Sequence, residues 1–170
     1  MVSAWQVHPA RAEGGGSICM TESTIPRPAL WLGLAGLVPS VAATAAMLAS
    51  PALRDIAAAA GLGYGAVIAS FVGGSWWGLA AGRATPEALP RYLGLAVMPG
   101  LVAWLAVLSP PVTGFAVLAL LFAVLPPTDR RLMAEGAAPA WWLALRRPLS
   151  FAMAALQAAS ALALLLSPAG

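Results

Sequence analysis

Side chains that could carry out chemistry are scarce in the apolar part of this sequence. Its long apolar runs contain hydroxyl, amide and indole groups but no Asp, Glu, Lys, Arg or His. A serine or threonine nucleophile needs a neighbouring base, and proton or metal sites at depth need ionisable groups. The single histidine and single cysteine, His8 and Cys19, cannot form a zinc site within one chain. We therefore expect no catalytic residue, no cofactor, no metal site and no enzymatic activity.

Small residues recur every four positions in the second apolar run, within and just before the stretch FVGGSWWGLAAG at 71–82. Residues four apart share one face of a helix. In a lipid environment, a face of small residues lets another helix approach closely. The pattern therefore predicts a helix-packing seam, which includes the GxxxG pair Gly74 and Gly78. The residues of this predicted seam are Ala66, Ser70, Gly74, Gly78 and Gly82.

A ligand cleft is the alternative use of the polar and aromatic side chains in the apolar runs. Pro39 and Pro99 fall in the middle of such runs, where proline removes a backbone hydrogen bond and kinks a helix. Membrane transporters use broken helices of this kind at their binding sites. The residues that would line this cleft are Tyr64, Ser75, Trp77, Trp104 and Gln157.

A further group of candidate residues lies between the last two apolar runs. Segment 139–147 places tryptophans beside arginines, which is typical of a short helix in the headgroup layer. Asp129 is followed by two arginines, which predicts a surface ion pair of little energetic value. We interpret the region as an interfacial anchor, with a lipid-headgroup or partner-docking site as the alternative. The interfacial residues are Asp129, Arg130, Trp141, Trp142 and Arg146.

The elements that must position these residues are membrane helices. The chain is 61% apolar and 9% charged, whereas soluble proteins are about half apolar and a quarter charged. Crossing the hydrocarbon layer takes about 20 apolar residues, and the prolines at 110–111 and 126–127 bound a shorter fourth run. We predict an all-α integral membrane protein, a bundle of five transmembrane helices. The predicted spans are about 29–50, 56–82, 92–109, 112–125 and 149–167.

The distribution of arginine predicts the orientation of these spans. Eight arginines fall on the side of the N-terminus and one, Arg54, falls on the other side. Because cytoplasmic loops are enriched in positive residues, we expect the N-terminus in the cytoplasm and the C-terminus outside. Residues 1–26 are expected to be a disordered extension, with Met20 a possible true start. Residues 27–167 would form the membrane domain and 168–170 a tail.

Several motifs resemble those of a known family. The stretch YGAVIASFVGGSWWG at 64–78 resembles the signature of the domain of unknown function 3429 family, which is transmembrane protein 69-like. Three later motifs are similar to those of this family: Met98-Pro99 with Ala103-Trp104-Leu105, Asp129-Arg130, and PAWWLALRRPLS at 139–150. Trp76 stands where a polar or basic residue is common in the family, and Ser150 replaces a threonine. The resemblance covers about residues 27–167 and implies a five-span bundle in a bacterial inner membrane, with no known activity.

These observations favour a small non-enzymatic membrane protein that acts through helix packing, as an assembly or stabilising factor. Its expected partners are the lipid bilayer and either a membrane protein or a second copy of the chain. Nucleic acid is not expected, because the net charge of +3 is small. The alternative is a transporter or channel for a neutral or lipid-like solute, acting as an oligomer. A third hypothesis is an enzyme that uses Asp129, Arg130, Trp141 and Arg146 on lipid headgroups.

Overall fold

Five apolar helical segments form the part of the chain that the computed structural model describes, residues 24–166. All regular structure in this range is helical, and each of the five segments is long and apolar enough to cross a membrane. The predicted all-α class and the number of spans are therefore confirmed. The predicted N-terminal extension, apart from residues 24–26, and the predicted tail at 168–170 lie outside the described residues.

Seven α-helices and one short 3₁₀ turn build these five segments. The first segment contains α1 and α2, the second contains the 3₁₀ turn and α3, the third is α4, the fourth contains α5 and α6, and the fifth is α7. The bounds are α1 Arg27–Ala35, α2 Val38–Ala49, the 3₁₀ turn Pro51–Leu53, α3 Arg54–Arg83, α4 Leu89–Leu108, α5 Pro111–Val124, α6 Pro126–Ala134 and α7 Trp142–Leu166.

The first span is broken at Gly36 and Leu37, between α1 and α2. Proline at position 39 has no N–H for the carbonyl four residues earlier, so a continuous helix would lose a hydrogen bond here. At the break, the Tyr64 hydroxyl of α3 donates a hydrogen bond of 2.7 Å to the Gly36 carbonyl. The predicted interruption near Pro39 is thus present as a break. Helix α4 continues as one helix through Pro99, and the kink expected there stays a prediction.

The fourth span differs from its predicted bounds of 112–125, because the prolines at 126–127 do not end it. They occupy the first turn of α6, which follows α5 with only Leu125 between the two helices. The first turn of a helix tolerates proline, because the N–H groups there have no intrahelical partner. The span therefore extends to Ala134 and includes Asp129, which the sequence had placed in a loop.

The fifth span also begins earlier than predicted. Helix α7 starts at Trp142 and runs through Pro148 to Leu166, so 142–147 is the start of a long helix and not a separate interfacial helix. Its 25 residues would measure about 38 Å at 1.5 Å per residue, which exceeds a hydrocarbon layer of about 30 Å. Helix α7 is therefore longer than the hydrocarbon layer is thick.

Helix α3 is the central element of the bundle. It packs most extensively against α4 and also contacts α2, α5, α6 and α7. The α3–α4 contact is close at Gly73, where an added Cβ would collide with the carbonyl oxygen of Ala96. Likewise, Gly114 of α5 lies against the carbonyl of Ala106 in α4. Backbone-to-backbone approach at glycine is the packing mode expected in lipid, where helices gain little from burying apolar surface.

Candidate functional site

Helix α6 has one face turned into the bundle and one face turned outward. Asp129 and Leu132 are both 0% exposed, whereas Arg130 and Arg131 between them are exposed. Residues three apart lie on the same side of a helix, so this alternation gives α6 an inner and a basic outer face. The inner face brings a carboxylate against α3 and α7.

Two tryptophans hold the Asp129 carboxylate. The indole Nε1 of Trp76 in α3 and that of Trp142 in α7 each donate a hydrogen bond of 2.8 Å to Asp129 Oδ1. An indole N–H can only donate and a carboxylate can only accept, so neither bond can be reversed. Each bond to a charged acceptor contributes about 1.5–3 kcal/mol. Together they tie the second, fourth and fifth spans to one oxygen atom.

Arg146 supplies the countercharge to Asp129. Its Nε lies 3.6 Å from Asp129 Oδ2, and its side chain is only 12% exposed. This separation is too long for a hydrogen bond, so the attraction is between charges. The guanidinium also lies 5.9 Å from the centre of the Trp142 ring, within the range of a cation–π contact. We call Trp76, Asp129, Trp142 and Arg146 the Asp129 cluster.

The structure of the Asp129 cluster contradicts two predictions made from the sequence. Asp129 does not form a surface ion pair with the arginines that follow it, because it points inward to Arg146 while Arg130 stays exposed. The structure also places an acid and a base within the candidate spans, which the sequence analysis had left free of ionisable groups. Four of the five predicted interfacial residues do lie near one another: Asp129, Trp141, Trp142 and Arg146. Trp141 joins the other three because its ring centre lies 6.0 Å from that of Trp142.

The cluster's fourth member, Trp76, was not among the predicted site residues. From the sequence, Trp76 was noted only as a departure from the family pattern. In the structure Trp76 is 3% exposed and lies with its indole N–H on Asp129. No sequence signal links Trp76 to Asp129, because the two residues are 53 positions apart and lie on different helices.

The predicted packing seam lies on the outer side of α3. Gly74, Gly78 and Gly82 are exposed, and a Cβ added to any of them would meet no atom within 4 Å. Ser70 is exposed and its hydroxyl lies near Gly100 of α4, while Ala66 is half-buried against the core. The row that packs inside the chain is displaced by one residue. Its members are Gly61, Gly65, Ala69 and Gly73, all buried.

The five residues predicted to line a cleft are not brought together. Trp77 and Trp104 are 48% and 59% exposed on the outer surface. Ser75 donates to the carbonyl of Val72 in its own helix. Tyr64 is bonded to the first span, and Gln157 is buried next to Gly65. The predicted cleft residues therefore belong to separate environments.

Two cavities lie beside the Asp129 cluster. A narrow crevice of about 100 Å³ is lined by Arg146, by Ser150 and by apolar side chains such as Phe71 and Leu149. A wider groove of about 650 Å³ runs between α6 and the start of α7 and is lined by Arg130, Arg131 and Arg147. Within residues 24–166, no three His, Cys, Asp or Glu side chains lie close enough to hold a metal ion.

The family model described as "Protein of unknown function (DUF3429)" matches residues 25–162, which is most of the chain. The chain belongs to the DUF3429 family. The resemblance seen in the sequence motifs is thereby confirmed. Three of those motifs, at 64–78, 129–130 and 139–150, supply all four members of the cluster.

Two curated relatives of this DUF3429 chain are animal proteins named transmembrane protein 69. Transmembrane protein 69 of Xenopus tropicalis is 45% identical over 85 residues, which is 49% of this chain and 33% of that protein. Transmembrane protein 69 of Mus musculus is 32% identical over 123 residues, which is 71% of this chain and 50% of that protein. The chain thus spans a third to a half of the length of these relatives. No solved structure matches the chain at a significant level.

Proposed function

We propose that this protein acts without catalysis, as an assembly or stabilising factor that contacts another transmembrane helix in a bacterial inner membrane. The supporting observation is the exposed row of glycines on α3. Gly74, Gly78 and Gly82 follow one another at steps of four, and each has open space where a Cβ would be. We call these three residues the outer glycine row.

Within residues 24–166, no neighbouring atom explains why the outer glycine row consists of glycine. Glycine within a helix costs about 0.5–1 kcal/mol relative to alanine, and nothing within 4 Å of these positions would obstruct a larger residue. Contact with a second helix would explain why these positions are glycine, because glycine lets helix backbones approach closely in lipid. Phe71 and Trp77, 68% and 48% exposed, stand beside the row and could pack against such a helix.

The polar side chains within the spans also support a role in contacts. Thr44 of α2 pairs with Ser160 of α7 at 2.8 Å between hydroxyl oxygens, and Tyr64 bonds to Gly36. The Asp129 carboxylate is bound by Trp76 and Trp142. These polar groups are already paired with one another inside the bundle. A partner would therefore bind to its outer surface.

The transporter alternative finds less support in the geometry. Ligand pockets usually measure about 300–1,000 Å³. The crevice at Arg146 and Ser150 is smaller, at about 100 Å³, and the groove of about 650 Å³ is lined only by α6 and the start of α7. The residues predicted to line a solute cleft are spread between the interior and the outer surface. A solute pathway would need a second copy of the chain to complete it.

Leucine substitution in the outer glycine row tests the proposal. Gly78→Leu and Gly74→Leu should abolish a larger assembly on native gels while the chain still inserts into the membrane, because the branched side chain blocks close approach. Gly94→Leu is the matched control, since Gly94 is also an exposed helical glycine with nothing within 4 Å but lies on α4. Equal assembly of all three variants and the wild type would contradict the proposal.

A further inference from the structure

The inward orientation of Asp129 leaves Arg130 without a countercharge, and Arg131 has only the electrostatic attraction of Glu135, whose carboxylate pairs with Arg91. Arg130 and Arg131 adjoin Asp129 in the sequence, but its carboxylate is bound to Trp76 and Trp142 on the other side of α6. Among the described residues, neither arginine forms a hydrogen bond or an ion pair, and the same is true of Arg147. These three arginines face one groove.

The groove has the composition of a site for an amphiphile. Its arginines come from the outer face of α6 and the first turns of α7, and Pro126, Ala134 and Leu143 provide apolar walls between them. Its volume of about 650 Å³ falls in the range usual for ligand pockets, about 300–1,000 Å³. Guanidinium groups bind phosphate oxygens through pairs of N–H donors.

The position of the groove indicates which phosphate it would meet. It lies between the end of the fourth candidate span, at Ala134, and the start of the fifth, at Trp142. Basic pockets between transmembrane helices at this level face the phosphate layer of the bilayer. We propose that this groove, defined by Arg130, Arg131 and Arg147, binds the headgroup of an anionic phospholipid. This proposal does not depend on the outer glycine row, which is on a different helix.

Removing two groove arginines from the full-length chain tests the site. The probe is phosphatidylglycerol, compared with phosphatidylcholine, and the readout is the apparent dissociation constant of the first bound lipid by native mass spectrometry. Wild-type chain should bind phosphatidylglycerol more tightly. Each arginine near the headgroups is worth about fivefold in affinity, so Arg130→Gln/Arg131→Gln should weaken binding by about 25-fold. Arg147→Gln should weaken it by about fivefold.

A double variant of equal charge is the control. Arg27 and Arg83 are exposed at the same end of the bundle but do not line the groove, so Arg27→Gln/Arg83→Gln should weaken binding by less than about threefold. Arg130→Lys/Arg131→Lys keeps the charge but not the paired N–H donors, so it should weaken binding less than the glutamine variant does. The proposal would be overturned if both double glutamine variants lost the same affinity for phosphatidylglycerol, or if the wild-type chain bound the two lipids equally well. Either result would favour an acidic protein as the partner of these arginines.

Discussion

At the scale of residues, the unusual feature is a carboxylate with no exposure to solvent. Moving a charge out of water costs several kcal/mol even after relaxation, about enough to cancel a good ion pair. Asp129 offsets this cost with two indole donors and with Arg146 at 3.6 Å. The net stabilisation is therefore expected to be small, whereas the loss of one partner should be expensive.

Asp129→Asn tests this asymmetry. The substitution leaves Arg146 largely buried without an anionic partner, so the free energy of unfolding should fall by about 3–5 kcal/mol. Unfolding in mixed micelles, followed by tryptophan emission, measures it. Glu135→Gln is the control, because it removes the exposed Arg91–Glu135 pair, whose side chains are 53% and 41% exposed, and should change little. If Asp129→Asn changed the free energy of unfolding as little as the control does, the predicted cost of leaving Arg146 without an anionic partner would be contradicted.

At the scale of elements, the number of spans could be predicted from hydropathy, but two of their ends could not. Proline pairs usually mark the end of a helix, yet the pair at 126–127 begins α6 directly after α5. Pro148 lies inside α7, which was predicted to begin at 149. All three prolines were treated as boundaries, and this treatment placed Asp129 and Arg146 in a loop.

The orientation of helix faces was also beyond the sequence. Two rows of small residues run along α3, one at 61, 65, 69 and 73 and the other at 66, 70, 74, 78 and 82. Spacing by four is the same in both rows, so periodicity could not tell which one packs inside the chain. The choice depends on where α4 and its carbonyl groups lie, and this is set by the fold as a whole.

Adjacent glycines in α3 provide a direct test of this assignment. Gly73→Ala should destabilise the chain by about 1–3 kcal/mol, because its methyl group would press on the Ala96 carbonyl. Gly74→Ala should stabilise the isolated chain by about 0.5–1 kcal/mol, because alanine is the better helix former and the position is open. The two variants differ by one position and need only unfolding measurements. Similar effects of the two substitutions would contradict the packing assigned to α3.

At the scale of the whole molecule, positive charge is concentrated at one end of the bundle. Successive spans run in opposite directions, so the end that holds Arg83, Arg91 and the groove arginines is opposite the end that holds Arg54. The same end contains the Asp129 cluster. We expect this end to face the cytoplasm, because positive residues there favour retention on that side.

Cysteine labelling measures this orientation. In a Cys19→Ser background, which removes the single native cysteine, Glu87→Cys and Glu135→Cys should be protected from an impermeant thiol reagent added to intact cells. Asp55→Cys, in the first turn of α3, should react. The reverse pattern would place the arginine-rich end outside.

Site-specific photo-cross-linking tests the proposed role in helix contacts most directly. A photoreactive side chain at position 78, in the outer glycine row, should form a covalent product with a transmembrane segment of a protein when cells are irradiated. The same side chain at position 94, on α4, should give only lipid adducts. Lipid adducts alone at both positions would contradict a contact function for this face of α3.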